Sequence, residues 1–250
     1  ANQRLLMAAN RVGKSYVGAM EMSIHATGLY PDWWKGKRFD KPIKAWVCGA
    51  SNETTRDICQ KELFGQPDNP TDKGKGSIPK HLLGDFVRKP GVPNAYSSVM
   101  VKHVTGGWSR IGFKAYEMGA EKFMGESIDL VWLDEEPSQE IYSQCITRTL
   151  DREGTVYLTF TPESGMTEVV QNFTSNLRPK QALITASWED ANHLTKDMKE
   201  QILGALPPHE RELRSKGVPL IGSGLVFPID EDSLVCEPFT IPTHFPRIAG

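Results

Sequence analysis

No stretch of this sequence is apolar for the roughly 20 residues that a membrane-spanning helix needs, and no secretory leader is visible ahead of the first strand-like run. Cysteine is scarce, with four in 250 residues at Cys48, Cys59, Cys145 and Cys236. Their spacing fits neither a zinc site nor a redox pair, and the six histidines include no pair at metal-ligand spacing. The cysteines therefore read as reduced and buried, as in a cytosolic protein. An excess of one charge is missing too. Lys and Arg total 29 against 31 Asp and Glu, a formal net charge of −2. That excludes a uniformly basic nucleic-acid binder but leaves room for a local basic face or a charged channel in an assembly. Internal repeats and low-complexity tracts are absent.

The composition is 39% hydrophobic and 24% charged, which suits a packed core. The length allows one large α/β domain, or a core domain with a small appendage. Short apolar runs at residues 4–8, 45–50, 128–133, 155–161 and 181–187 read as strands. Residues 99–104 and 109–115 read as a hairpin around Gly106-Gly107. Helical patterns fill residues 14–27, 138–147 and 166–173, the first with Tyr16, Val17, Met20 and Ile24 on one face. Ser51 or Asn52 caps a further helix to about residue 64, without the Glu that completes a capping box. Residues 66–77 form a turn-rich surface loop. Strands alternating with helices predict a doubly wound, mainly parallel sheet over residues 1–189. Two helices split by Pro207-Pro208, then a turn-rich segment and a proline-rich stretch, predict a small helical lid and linker over residues 190–250.

Ala8-Ala9-Asn10-Arg11-Val12-Gly13-Lys14-Ser15 fits G-x-x-x-x-G-K-S/T, except that Ala8 stands at the first Gly. Loop and helix N–H groups point at phosphate oxygens in such a motif. Gly13 lets the loop wrap closely, Lys14 sets a charge beside the β- and γ-phosphates, and Ser15 offers a hydroxyl to Mg²⁺. The preceding strand and following helix are the setting this motif requires. A chance GKS tripeptide would lack them.

Ile128 to Glu136 (IDLVWLDEE) is an apolar strand ending in acid. Asp134 at its tip is the candidate for the Mg²⁺ shell. Glu135 is the preferred general base, with Glu136 as its rival should the strand pleat continue. A solvated acidic turn is the plainer alternative, but its pairing with a phosphate loop in the right order argues against it. The strand–helix unit at residues 45–64 also suits the ATPases that carry another strand between the two motif strands.

On these residues the chain resembles the large terminase subunit of tailed double-stranded-DNA bacteriophages. The matching runs are LLMAANRVGKS from Leu5, WVCGASNETTRDI from Trp46, GSIPK from Gly76 and VKH from Val101. They continue with IDLVWLDEEP from Ile128, LTFTPESGMTEVV from Leu158, and HEREL and GVPLIGSGLVFPI between His209 and Ile229. The Ala8 departure is similar to a variation these terminases tolerate. The resemblance implies a P-loop NTPase fold of the RecA-like kind that uses ATP and Mg²⁺ to pump double-stranded DNA into a procapsid. It implies a homo-oligomeric ring, a pentamer, on the portal protein, with a small terminase subunit choosing the DNA. Such a machine works in the host-cell cytoplasm, transiently on the procapsid, and is not expected in the mature virion or at a membrane.

The run Leu158 to Pro162 is similar to the family's coupling motif, in which a polar residue senses the γ-phosphate. Thr159 and Thr161 are the candidates. The family also implies a basic finger. Arg11 could act in cis, Lys122 stands where relatives carry an arginine, and Arg148 is a third option. Lysine lacks the planar fork of arginine, which weakens Lys122. The resemblance places the family's adenine-binding segment before residue 1 and its nuclease acids after residue 250, so this stretch is expected to lack the nuclease centre. Lys73, Lys75, Lys80, Arg88 and Lys89 form a basic stretch suited to DNA phosphates or simply to solvent. Two other functions share the motifs: a superfamily-2-like helicase or translocase, which needs a second RecA-like domain, and a nucleotide-binding scaffold with little turnover.

Overall fold

A computed structural model describes residues 1–175 and 177–219. Cys236 and the proline-rich stretch expected toward residue 250 lie outside those residues. Eight strands make one sheet in the order β3-β4-β5-β2-β6-β7-β1-β8. They are β1 (Gln3–Ala8), β2 (Lys44–Gly49), β3 (Leu83–Arg88), β4 (Tyr96–Lys102), β5 (Trp108–Ala115), β6 (Leu130–Asp134), β7 (Thr155–Phe160) and β8 (Gln181–Ala186). β5, β2, β6, β7, β1 and β8 run parallel, and β4 and β3 add an antiparallel edge. β6 and β7 are buried along their whole length, as strands covered on both faces must be.

The predicted hairpin forms as β4 and β5. β3 has no counterpart in the sequence reading, because Gly84, an irregular register and the nearby Pro90 break its alternation. The strand that separates the two motif strands is β7, which pairs with both β1 and β6; β2 lies on the far side of β6. The unit at residues 45–64 thus intervenes in sequence but not in space.

The helices are α1 (Lys14–Thr27), α2 (Asn52–Thr54), α3 (Lys61–Phe64), α4 (Gln139–Leu150), α5 (Glu168–Thr174), α6 (Lys196–Ala205) and α7 (Pro208–Lys216). α2 and α3 are joined by a π-helical stretch, Thr55–Gln60. Ser51 caps this run in a complete capping box, since the Thr54 hydroxyl answers the Ser51 N–H in place of the missing Glu.

The predicted apolar face of α1 is turned outward. Tyr16, Val17 and Met20 are 58%, 49% and 41% exposed, while Gly18, Ala19, Met22, Ser23 and Ala26 are buried. The reason is steric. The Tyr157 hydroxyl donates to the Gly18 carbonyl at 2.8 Å. A Cβ on Gly18 would stand 2.4 Å from the Trp132 ring. A glycine at position 18 lets the helix come this close to the sheet. Two apolar clusters sit on the two faces of the sheet, around Leu133, Leu158 and Phe173 and around Met22, Leu63 and Trp132. A third joins Ala9 to Trp188, Ala191 and Leu194, with Ile202 and Leu203 of α6 against it. Among the described residues no helix is long and apolar enough to cross a membrane.

Candidate active site

β1 delivers the chain into the phosphate loop at its C-terminal end. Arg11 and Gly13 take left-handed backbone, with φ of 63° and 95°. Gly13 needs no side chain there and opens α1 without a side-chain cap. The first N–H groups of α1 are therefore free to face an anion, and its first turn carries no acid. Ala8 is fully buried with ordinary negative φ, so this position does not require the glycine of the general motif.

Lys14 Nζ donates to the Ala9 carbonyl at 2.9 Å and to Thr161 Oγ1 at 2.7 Å. Thr161 has its own acceptors, Ala8 O and Asn10 Oδ1, each at 2.7 Å. Burial holds Lys14 below the usual lysine range, against the opposing pull of Glu135 and Asp134. Loop, lysine and the end of β7 thus form one hydrogen-bonded unit.

Asp134, at the tip of β6, is 2% exposed. Ser15 Oγ donates to its carboxylate at 3.0 Å and Thr159 Oγ1 at 2.7 Å, while the Trp132 indole donates to Thr159 Oγ1 at 2.7 Å. The π-helical stretch brings Cys59 Sγ to 3.7 Å from the same carboxylate. Such stretches recur at functional sites because the extra residue per turn re-aims a side chain. Burial pushes the Asp134 carboxyl up, and these donors oppose it. Thr159 and Thr161 therefore divide the work: one orients the acid, the other holds the lysine.

Strand geometry stops at Asp134. Glu135 takes left-handed backbone, φ 65°, and its N–H donates to the Thr159 carbonyl at 3.0 Å. Tyr116 OH lies 3.0 Å from the carbonyls of both Asp134 and Glu135. The Glu135 side chain is exposed to solvent, while protein atoms crowd its carboxylate. That crowding, followed by the Asp134 charge, pushes it up to about 7, the range of a general base working near neutrality. Glu136 turns away to accept a hydrogen bond from Thr167, so the broken pleat separates the two rivals.

Of the proposed fingers, Arg11 lies exposed on the loop, its carbonyl accepting from His193 at 2.8 Å when that ring nitrogen carries the proton. Lys122 is exposed on a 3₁₀ turn. Arg148 is at the end of α4, its carbonyl bound by the Ile128 N–H. That puts it at the opposite end of β6 from Asp134. Sequence reasoning overlooked Arg214 of α7, whose positive charge acts on both Lys14 and Glu135. Nothing local marks it, since it reaches the site only through tertiary packing. In the basic stretch, Lys75 pairs with Asp72 at 2.7 Å and Lys73 stacks over Phe86. Cys48, Cys59 and Cys145 are free and buried, and burial pushes all three thiols up.

The family described as terminase large subunit, T4likevirus-type, N-terminal, matches residues 5–233. The terminase large subunit of Salmonella phage P22 is 39% identical over 260 residues, covering 97% of this chain and 52% of that protein. The terminase large subunit of Enterobacteria phage LP7 is also 39% identical, over 48% of this chain and 26% of that one. The chain thus spans about half the length of the P22 relative. Among solved structures, the large terminase from a thermophilic bacteriophage superposes with a TM-score of 0.66 at 13% identity, covering 95% of this chain and 54% of its own. The ATPase domain of the Thermus phage P74-26 large terminase gives a TM-score of 0.53 at 16% identity, covering 88% of this chain and 89% of its own. The fold is therefore that of a terminase ATPase domain, and this chain belongs to the terminase large-subunit family.

Proposed function

We propose that this chain is the ATP-hydrolysing motor part of a terminase that drives double-stranded DNA into a procapsid. The observation that carries the proposal is the pairing of Lys14 with Thr161 and of Ser15 with Asp134, side by side at the C-terminal ends of three parallel strands. The loop N–H groups and Lys14 hold the phosphates. Glu135 takes the proton of the attacking water. Thr161, tied to Lys14, registers the γ-phosphate and passes that state into β7. The large terminase of the thermophilic bacteriophage has been solved with ADP and with ATP-γ-S, which supports nucleotide as the ligand here.

Magnesium fits the oxygen donors present. The Asp134 carboxylate receives its hydrogen bonds from hydroxyls and a thiol, and Mg²⁺ is usually held by one or two carboxylates with substrate phosphates completing its shell. Ser15 and Asp134 would hold the ion, which would supply charge neutralisation to the nucleotide phosphates. The portal protein, a small terminase subunit and further copies of the chain in a pentameric ring are its proposed partners, in the cytoplasm of the host cell. Residues 190–219 act as a lid; the remainder of the expected lid and linker, 220–250, lies outside the described residues.

Glu135→Gln is the decisive test. Nucleotide binding should persist while turnover falls by about 10²- to 10⁴-fold, and Lys14→Ala should lose nucleotide binding. Unchanged turnover in Glu135→Gln removes it as the base.

A further inference from the structure

α7 is clamped onto the phosphate loop by its backbone. The Arg214 carbonyl accepts from the Asn10 N–H at 3.0 Å. Trp188 bridges the same two segments, its N–H donating to Ser215 O at 2.9 Å and its indole to Asn10 O at 2.8 Å. Gly217, φ 69°, lets the end of α7 press on β1, for a Cβ there would stand 2.4 Å from the Ala8 carbonyl carbon. The Arg214 guanidinium is thereby delivered to the site while its backbone stays anchored. It pairs with Glu163, and its Nε lies 3.5 Å from Glu210. Glu163 sits on the turn two residues past Thr161, the hydroxyl partner of Lys14.

We propose that Arg214 is a phosphate-sensing cation supplied in cis by α7, which leaves Glu163 for the terminal phosphate when a nucleoside triphosphate fills the loop. The inference rests on the nucleotide-binding reading given above. Its physical basis is competition for one planar cation. A guanidinium binds a carboxylate and a phosphate through the same fork, and a terminal phosphate carries more charge than one carboxylate. Glu163, the acid paired with Arg214, is itself repelled as a polyanion arrives. The exchange frees Glu163 on the turn after β7. Occupancy of the loop is then coupled to the seat of α7.

The test is calorimetric binding of ATPγS and of ADP to the whole chain, with melting curves for every variant. Arg214→Gln should narrow the preference for ATPγS over ADP by about tenfold, the effect of losing a charge-assisted hydrogen bond, and Arg214→Lys should restore part of it. Glu163→Gln removes the competitor and should tighten ATPγS by roughly three- to tenfold on the same reasoning. In the Arg214→Gln background that gain should vanish. Should Arg214→Gln fail to fold, Glu163→Gln alone decides. If Glu163→Gln weakens both nucleotides alike, the pair is a structural pin and the proposal falls. An unchanged ATPγS/ADP ratio in Arg214→Gln, with Lys14→Ala unable to bind, overturns the Arg214 role alone. Equal ATPγS binding by wild type and Lys14→Ala instead overturns the phosphate-site reading beneath it.

Discussion

Thr159→Val tests how Asp134 is aimed. The hydroxyl of Thr159 accepts from Trp132 Nε1 and donates to Asp134 Oδ1, both at 2.7 Å, with all three residues buried. Valine has nearly the same shape but neither function. The Trp132 N–H then loses its acceptor, at a cost of about 1–3 kcal/mol for a buried donor left unmade. Asp134 loses one donor but keeps Ser15, a further loss of about 1.5 kcal/mol for a bond to a charged group. Against these stands a gain below about 1 kcal/mol from the added methyl group. The net expectation is destabilisation by about 2–4 kcal/mol, read from urea unfolding followed by far-UV circular dichroism. In a Trp132→Phe background the same change should cost about 1–3 kcal/mol less, because the donor is already gone. Turnover should also demand more Mg²⁺, since a carboxylate with fewer donors holds its proton more tightly. A loss under about 0.5 kcal/mol with an unshifted Mg²⁺ requirement would refute the relay from Trp132 through Thr159 to Asp134.

Turnover should rise with pH through about 7, the value to which Glu135 is pushed, because only its ionised form accepts a proton; the rate limb should disappear in Glu135→Gln. The same group makes the nucleotide-free fold bind more protons than the unfolded chain between its ordinary value of 4.5 and about 7. Its stabilising contribution is complete below that window and is lost as pH rises through it, so chemical denaturation of Glu135→Gln should lack this component. Gly18→Ala drives a Cβ against Trp132 and should destabilise by about 1–3 kcal/mol in urea unfolding, whereas an ordinary exposed helix glycine would gain from alanine. Gly217→Ala meets both positive φ and the Ala8–Ala9 backbone. It should cost about 1–3 kcal/mol and speed proteolysis between α6 and α7, with an unchanged cleavage rate counting against the clamp.

The helix after the phosphate loop, the apolar strand before Asp134 and the alternation of strands with helices were legible because each is written in neighbouring residues. Gly13 and Lys14 open a helix wherever such a strand–loop pair occurs, and β6 announces its burial by having no polar alternation. Periodicity points to the outer face of α1 for an equally physical reason: it finds apolar residues, but the sheet takes the small ones, Gly18 and Ala19, so that Trp132 and Tyr157 can close on the helix.

What depends on distant pairing could not be read locally. β7 inserts between β1 and β6, and only that insertion brings Thr161 to Lys14, 147 positions away. It also sets Thr159 beneath Asp134. The left-handed turn at Glu135, which sends two adjacent glutamates in different directions, is imposed where β6 ends against β7. Arg214 enters through the docking of α7 on the phosphate loop. The sequence by itself determined the phosphate-loop motif, the acid-tipped apolar strand and the order of the elements, through backbone preference and hydrophobic period. Tertiary structure alone decided which of those side chains meet, because contacts across many residues depend on how the sheet is ordered.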